Sequence, residues 1–361
     1  MTALKMTKRE SVGGARLGLE RYRIIWVFVV AFVVASCGDG GGAATEGNTY
    51  TVGVDGSTDE FNGAFFGFFP DRLRVHAGDT IVFERPENGE PHTVALGPAL
   101  PMSAVPGGNF FSGGFGGRPR LDTSMPCFLS DGRPAGDGCS PAERQPVAFD
   151  GTQTWFNSGG LLADEQFTLE LSDDIEPGTY DFFCLVHTEE MRGRIEVVEP
   201  GEEADDPAEV SARGIEQLQM EVNRIRSRFD SQPILGEGEV LAAFHDGTFT
   251  AWAITFTPEE IEIPVGGTVK WRVMGDHTIT FNAPESARPF YERAEDGSIR
   301  ENELAAEQQG DASGWDGSGI FNSGLRSGVP DRLEVTFTRP GTYAYLCTIH
   351  FGMEGRVKVI E

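Results

Sequence analysis

The sequence predicts an all-β protein made of two tandem antiparallel β-sandwiches of Greek-key type, joined by a linker with one α-helix. Three observations carry this. The chain repeats itself once, bringing much of it into register when Cys184 and Cys347, 163 positions apart, are aligned, and such self-similarity is the signature of repeated structural units. Within the repeats apolar and polar residues alternate with the two-residue period of half-buried strands. The composition, 47 Gly, 21 Pro and 26 Phe in 361 residues, suits short strands and turns better than long helices, and the length exceeds one ordinary domain.

Residues 1–36 read as an address rather than as part of the fold. Lys5, Lys8, Arg9, Arg16, Arg21 and Arg23 precede an apolar run over residues 24–36, too short to span a bilayer comfortably. The run ends in "VASC", which resembles the lipobox of bacterial lipoproteins. That resemblance implies that Cys37 becomes the lipidated first residue of the mature chain, with residues 37–47 as a flexible tether outside the cytoplasmic membrane, in the periplasm or at the cell surface. An uncleaved anchor helix or an ordinary signal peptide is the alternative, and in each case the rest is exported. Removing residues 1–36 moves the formal charge from −27 to −31. So acidic a chain repels phosphates, which argues against nucleic acid and leaves basic proteins, a salty medium or mere solubility as its meaning.

The first unit is expected over residues 48–199 and the second over 236–361. "FNSGG" from Phe156 matches "FNSGL" from Phe321, "PGTYDFFC" from Pro177 matches "PGTYAYLC" from Pro340, and "MRGRIEV" from Met191 matches "MEGRVKV" from Met353. Upstream, "LRVHAGDTIVF" from Leu73 resembles "IEIPVGGTVKW" from Ile261, and "PHTVAL" from Pro91 resembles "DHTITF" from Asp276. Leu73 and Val75 share one strand face, as do Ile261, Ile263 and Val265. Tyr180, Phe182 and Cys184 share another, as do Tyr343, Tyr345 and Cys347, so each Cys points inward at the end of a core strand. The first unit also carries an insertion over residues 97–155, longer than its counterpart by 20 residues, for which a lid and a docking surface are the candidate roles.

Residues 200–235 form an acidic linker and a helix. Asp206, Pro207 and Glu209 supply an N-cap, N1 and N3. Ile215, Leu218, Val222, Ile225 and Phe229 follow at heptad spacing, which suits packing on a neighbouring domain or an oligomerisation helix.

Five cysteines divide almost by elimination. Cys37 belongs to the lipobox, and Cys127 and Cys139 bracket a turn-rich loop that an exported protein can close with a disulfide. Cys184 and Cys347 remain, at equivalent places in the repeat. Each opens a cluster, "CLVHTEEM" and "CTIHFGM". With one upstream His these offer a thiolate, two imidazoles and a thioether: His92, Cys184, His187 and Met191, then His277, Cys347, His350 and Met353. That is the ligand set of a blue-copper electron-transfer site, in which soft sulfur suits Cu(I) and imidazole suits both oxidation states. Taken singly, an inward His, a buried Cys or a Met after a loop is ordinary core; four in one order, twice, using four of six His, are not.

The order of these ligands, one His on an interior strand and three on the loop after the penultimate strand, resembles that of the cupredoxins, the family of plastocyanin, amicyanin and pseudoazurin. "CTIHFGM" has the CxxHxxM spacing of amicyanins, whereas "CLVHTEEM" has one residue more than that and one fewer than plastocyanins. The resemblance implies two type 1 coppers per chain and electron exchange with an exported redox protein or a membrane electron-transport component. It also implies an apolar surface near the second His of each set, where Val186, or Ile349 and Phe351, are placed to form it.

Other functions are distinguishable. Copper nitrite reductases and two-domain multicopper oxidases need further His ligands, but only His76 and His245 are left over. His76 alternates with Arg72 and Arg74 on a polar strand face, and His245 precedes an Asp246-Gly247 turn. Neither lies in an HxH pair, and identical subunits would each add only the same two. The chain is therefore expected not to be an enzyme. Copper storage or delivery is the alternative that uses the same residues.

Overall fold

Alternation in the sequence becomes burial in the structure, a computed structural model. It describes residues 47–361 apart from 86–88, 102–107, 115–116, 137–138, 189, 230, 232–234 and 249. Residues 1–46, with the Cys37 lipidation site and all but the last residue of the tether, lie outside the described residues. The strands of the first repeat are β1 (Thr49–Val54), β2 (Gly63–Phe65), β3 (Phe68–Phe69), β4 (Arg72–Val75), β5 (Thr80–Glu84) and β6 (Ala95–Leu96). Within the insertion lie a helical turn α1 (Leu121–Ser124) and β7 (Cys127–Leu129), followed by β8 (Trp155–Asn157), β9 (Gln166–Glu170), β10 (Gly178–Phe183) and β11 (Arg192–Val197).

Helix α2 (Pro207–Phe229) leads into the second repeat: β12 (Glu239–His245), β13 (Ala251–Thr257), β14 (Glu260–Pro264), β15 (Thr268–His277) and β16 (Thr280–Phe281). A hairpin of β17 (Tyr291–Arg293) and β18 (Ile299–Glu301) comes next, with a turn α3 (Glu303–Ala306). The last strands are β19 (Gln308–Gln309), β20 (Phe321–Ser323), β21 (Arg326–Thr336), β22 (Gly341–Leu346) and β23 (Glu354–Ile360).

The repeat is exact in topology where it matters for the sites. One six-stranded sheet runs β4-β11-β10-β6-β8-β7 and its counterpart runs β14-β23-β22-β16-β20-β19. Facing them are β3-β1-β5-β9 and β2-β13-β12-β15-β21. The sandwiches are mixed rather than purely antiparallel, because the chain crosses between sheets: β1 lies parallel to β5, β4 to β11, β12 to β15 and β14 to β23. Leu73 and Val75 are buried while Arg72 and Arg74 are exposed. Val265 departs from the expected face: β14 ends at Pro264 and Val265 is 43% exposed.

The two sandwiches share structure. Strand β2, from within the first repeat, pairs antiparallel with β13 of the second. Asn62 extends this join, its side chain donating to the Phe351 carbonyl at 2.9 Å and its own carbonyl accepting from Ile254 N–H at 2.7 Å. The described part of the insertion packs on the second repeat: Phe110 and Phe111 are fully buried, and the Phe111 ring lies 5.9 Å from that of Tyr291 in the β17–β18 hairpin. Beside it, Arg293 donates to Glu165 at 3.0 Å and to the Gly160 carbonyl at 2.8 Å. Within the insertion Cys127 and Cys139 form a disulfide, with Cα atoms 5.7 Å apart. Residues Glu46–Glu361 accordingly form one compact unit.

Helix α2 begins as its sequence predicts, with Asp206 Oδ1 accepting from Ala208 and Glu209 N–H. It packs on β1, β3, β2 and β13, over a cluster that includes Phe65, Val222, Ile225 and Phe244. The heptad face is rotated, however. Ile215 is 62% exposed, and Val210 and Gly214 face inward in its place. The cause is close approach: a Cβ on Gly214 would fall 2.7 Å from the Phe69 carbonyl. Gly214→Ala is expected to destabilise the protein by about 1–3 kcal/mol through overpacking, although alanine favours helix more than glycine does. Urea unfolding measures it; a more stable variant would mean that helix propensity dominates. Among the described residues, no helix is long and apolar enough to cross a membrane.

Candidate metal centres

Each site is built on the end of one strand and the loop that follows it. Strand β10 delivers Cys184 and β22 delivers Cys347, and in both repeats the Cys N–H donates at 2.9 Å to the carbonyl of the Met that closes the loop, Met191 or Met353. The extra residue of the first loop is held inside that closure, where Thr188 adopts φ 46° and its N–H turns back to the Cys184 carbonyl at 2.8 Å. In the second loop Met353 N–H reaches the His350 carbonyl at 3.3 Å instead.

The upstream His arrives from beside the strand that pairs with the Cys strand, β6 or β16. The donor atoms of His92, Cys184 and His187 lie within 4.8 Å of one another, as do those of His277, Cys347 and His350, and all six residues are buried. Imidazole Nδ1 is the atom turned inward: His92 Nδ1 is 3.7 Å and His187 Nδ1 3.8 Å from Cys184 Sγ. The corresponding distances to Cys347 Sγ are 3.8 Å for His277 and 3.6 Å for His350. Met191 Sδ lies 3.2 Å from His92 Nδ1. Met353 is equally enclosed, at 1% exposure. Among the described residues these are the two groups of three or more His, Cys, Asp or Glu close enough to hold a metal.

The outward nitrogens explain why Nδ1 faces in. His277 Nε2 lies 3.0 Å from the Met274 carbonyl, which can only accept, so the proton sits on Nε2 and Nδ1 is left with its lone pair. His350 Nε2 faces the Glu90 carboxylate at 3.2 Å, and His92 Nε2 faces Asp55 at 3.3 Å. A second group on the far nitrogen sets tautomer and ring orientation for a metal ligand. The thiolates are prepared as well. Burial alone would raise the Cys184 thiol, but His187 and His92, whose Nδ1 atoms can donate to its sulfur when the rings are protonated, hold it well below its ordinary value. Cys347 is held down in the same way by His277 and His350. Two imidazoles with inward lone pairs, a thiolate and a thioether in a dry pocket fit copper.

Residues 246–360 match the family of copper binding proteins typified by plastocyanin and azurin. Over those residues the second repeat is cupredoxin-like. Among solved structures, a purple cupredoxin from Nitrosopumilus maritimus is 23% identical over 34% of this chain and 98% of its own, with a TM-score of 0.21. Amicyanin from Paracoccus versutus is 16% identical over 41% of this chain and 80% of its own, with a TM-score of 0.21. A mutant fern plastocyanin is 21% identical over 34% and 99%, again with a TM-score of 0.21. No curated protein matches the sequence.

In the two repeats, the supports around the ligands are duplicated as faithfully as the ligands. Thr93 and Thr278 each donate a backbone N–H to the Cys sulfur at 3.4 Å. Their hydroxyls each accept from the residue after the Cys, Leu185 or Thr348, at 2.8 Å. Ser158 and Ser323 accept from Val94 and Ile279 N–H at 2.8 and 2.9 Å, pinning the segment just after the first His. These are the Thr of "PHTV" and "DHTI" and the Ser of "FNSG". Their presence in both repeats was the available signal, although motif chemistry alone assigns them nothing.

Asp55 and Glu90 had no such signal. Asp55 sits in a tight turn at φ 64°, accepts from Gly56 and Phe65 N–H, and is 3% exposed. Burial would raise its carboxyl, but His92 and those N–H groups hold it below its ordinary value. The two unused histidines stay outside both sites: His76 Nε2 meets the Glu202 carbonyl, and His245 lies against Trp252 at 4.7 Å.

The expected apolar surfaces are largely withdrawn from solvent, with only Phe351 partly exposed. Val186 is fully buried and Ile349 is 2% exposed. The rings they flank lie where the two repeats join instead. His187 stacks on Phe66 at 4.0 Å, and Phe66 N–H donates to the Thr250 carbonyl of the second repeat. His350 meets Glu90 of the first.

Proposed function

We propose that the protein is an exported electron carrier with two type 1 copper sites, held by His92, Cys184, His187 and Met191 and by His277, Cys347, His350 and Met353. The observation that carries this is the pair of buried sets in which both imidazole Nδ1 atoms converge on one thiolate sulfur. Copper supplies a one-electron couple when bound. The chain's part is to keep each thiolate ionised, orient the imidazoles through Asp55, Met274 and Glu90, and exclude water, so that little rearranges as the charge changes. Lipidation at Cys37 would tether the carrier to a membrane, and an exported redox protein or membrane electron-transport component would be its partner.

Storage or delivery is the weaker reading, because exchangeable metal needs accessible sulfur and Cys184 and Cys347 are 0% and 1% exposed. Catalysis is weaker still, since His76 and His245 join neither cluster. Titrating the metal-free chain with Cu(II), while recording visible absorption, EPR and bound copper, tests the reading. Two equivalents with intense thiolate-to-copper absorption are expected; a colourless protein or type 2 spectra alone would sink it. The two centres should also have separate midpoint potentials, because their loops differ in length and the first His meets a carboxylate in one and a carbonyl in the other. A single two-site midpoint in a spectroelectrochemical titration would count against that.

A further inference from the structure

Glu90 belongs to both centres at once. Its carboxylate is 8% exposed and lies 3.2 and 3.3 Å from His350 Nε2 of the second site. Its backbone is two residues from His92 of the first, and its carbonyl accepts from the buried Arg85 guanidinium at 2.5 Å. The second repeat does not reciprocate: the position two before His277 is Gly275, which carries no side chain. Gly89 completes the contact, because a Cβ there would fall 2.7 Å from His350 Cδ2.

We propose that Glu90 positions His350 and joins the two centres into one internally connected pair. The proposal rests on the electron-carrier reading above. From His350 to His92 the route comprises the hydrogen bond to Glu90 and then covalent bonds only, through Glu90, Pro91 and the His92 side chain. Electron coupling decays far less along bonds than across gaps. In the exchange one centre gains the single electron that the other loses; no bond breaks, the Nε2 proton stays on His350 and Glu90 keeps its charge. The β2–β13 pairing and the docked insertion hold the route together, since both clamp the first repeat to the second.

Two measurements separate the positioning role from the connecting one. In the metal-free protein, 15N NMR of histidine-labelled chain should show His350 protonated at Nε2 with a slowly exchanging proton. Glu90→Leu should speed that exchange at least tenfold, and Glu90→Gln, which keeps an acceptor, should largely preserve it. In the copper-loaded protein, one electron delivered by pulse radiolysis should redistribute between the centres in a first-order phase independent of protein concentration. That phase should slow at least tenfold in Glu90→Leu and be absent from Cys184→Ala and Cys347→Ala. If Glu90→Leu does not fold, Gly89→Ala pushes the His350 ring off the carboxylate and serves instead. An unchanged phase in the folded variant, or redistribution that depends on concentration in the parent, overturns the connection while two blue centres leave the carrier reading intact. Failure to bind two coppers overturns both.

Discussion

Cys184→Ala and Cys347→Ala should each bind one copper in place of two and keep roughly half of the thiolate-to-copper absorption, and the double variant should be colourless. The reason is that no other ligand in either set can replace the sulfur. Each thiolate accepts one backbone N–H, from Thr93 or Thr278, and faces two Nδ1 atoms within 3.8 Å. Alanine leaves those imidazoles around an apolar methyl, a poor copper site. The remaining centre should keep its own spectrum, because its support comes mostly from its own repeat. The variants thereby report each centre alone, with copper analysis and EPR as the readouts. Loss of both coppers from either variant would show that the repeats do not bind independently.

Phe281→Ala should destabilise the metal-free protein by about 3–5 kcal/mol, the range for a large aromatic deleted from a core. Phe281 is fully buried on β16, four residues after His277. Its ring packs against Trp315 at 4.7 Å, Tyr345 at 5.0 Å, Phe337 at 5.6 Å and Trp271 at 6.1 Å. Little of that can collapse, because the neighbours are aromatic rings held by β15, β22 and the Trp315–Phe337 bridge. The same cavity loosens the segment that follows His277, so the second centre should lose affinity while the first keeps its copper. Urea unfolding followed by copper analysis tests both parts. A loss under about 1 kcal/mol would mean the aromatic cluster repacks.

Much of each centre was legible in the sequence because its ligands belong to short, regular segments. A two-residue strand period places Tyr345 and Cys347 on one face, and a loop of a few residues can only return His350 and Met353 to the same spot. Duplication then separated signal from accident, since "FNSG" and "PGTY" recur with the ligands. Helix α2 shows the limit of such reasoning. Heptad spacing picked Ile215, yet the chain turned Gly214 inward, because the approach of the Phe69 backbone, not the apolar pattern, sets the helix's rotation.

By itself, then, the sequence determined the two sandwiches, the eight candidate ligands and the difference in loop length, all consequences of local period and spacing. Tertiary structure alone decided what surrounds the ligands: that β2 crosses into the second sandwich, that the insertion docks on the β17–β18 hairpin, and that Glu90 reaches His350 across 260 residues of chain. Such contacts join segments whose side chains are chosen for a surface that exists only after both repeats have folded, and no periodicity within either segment records them.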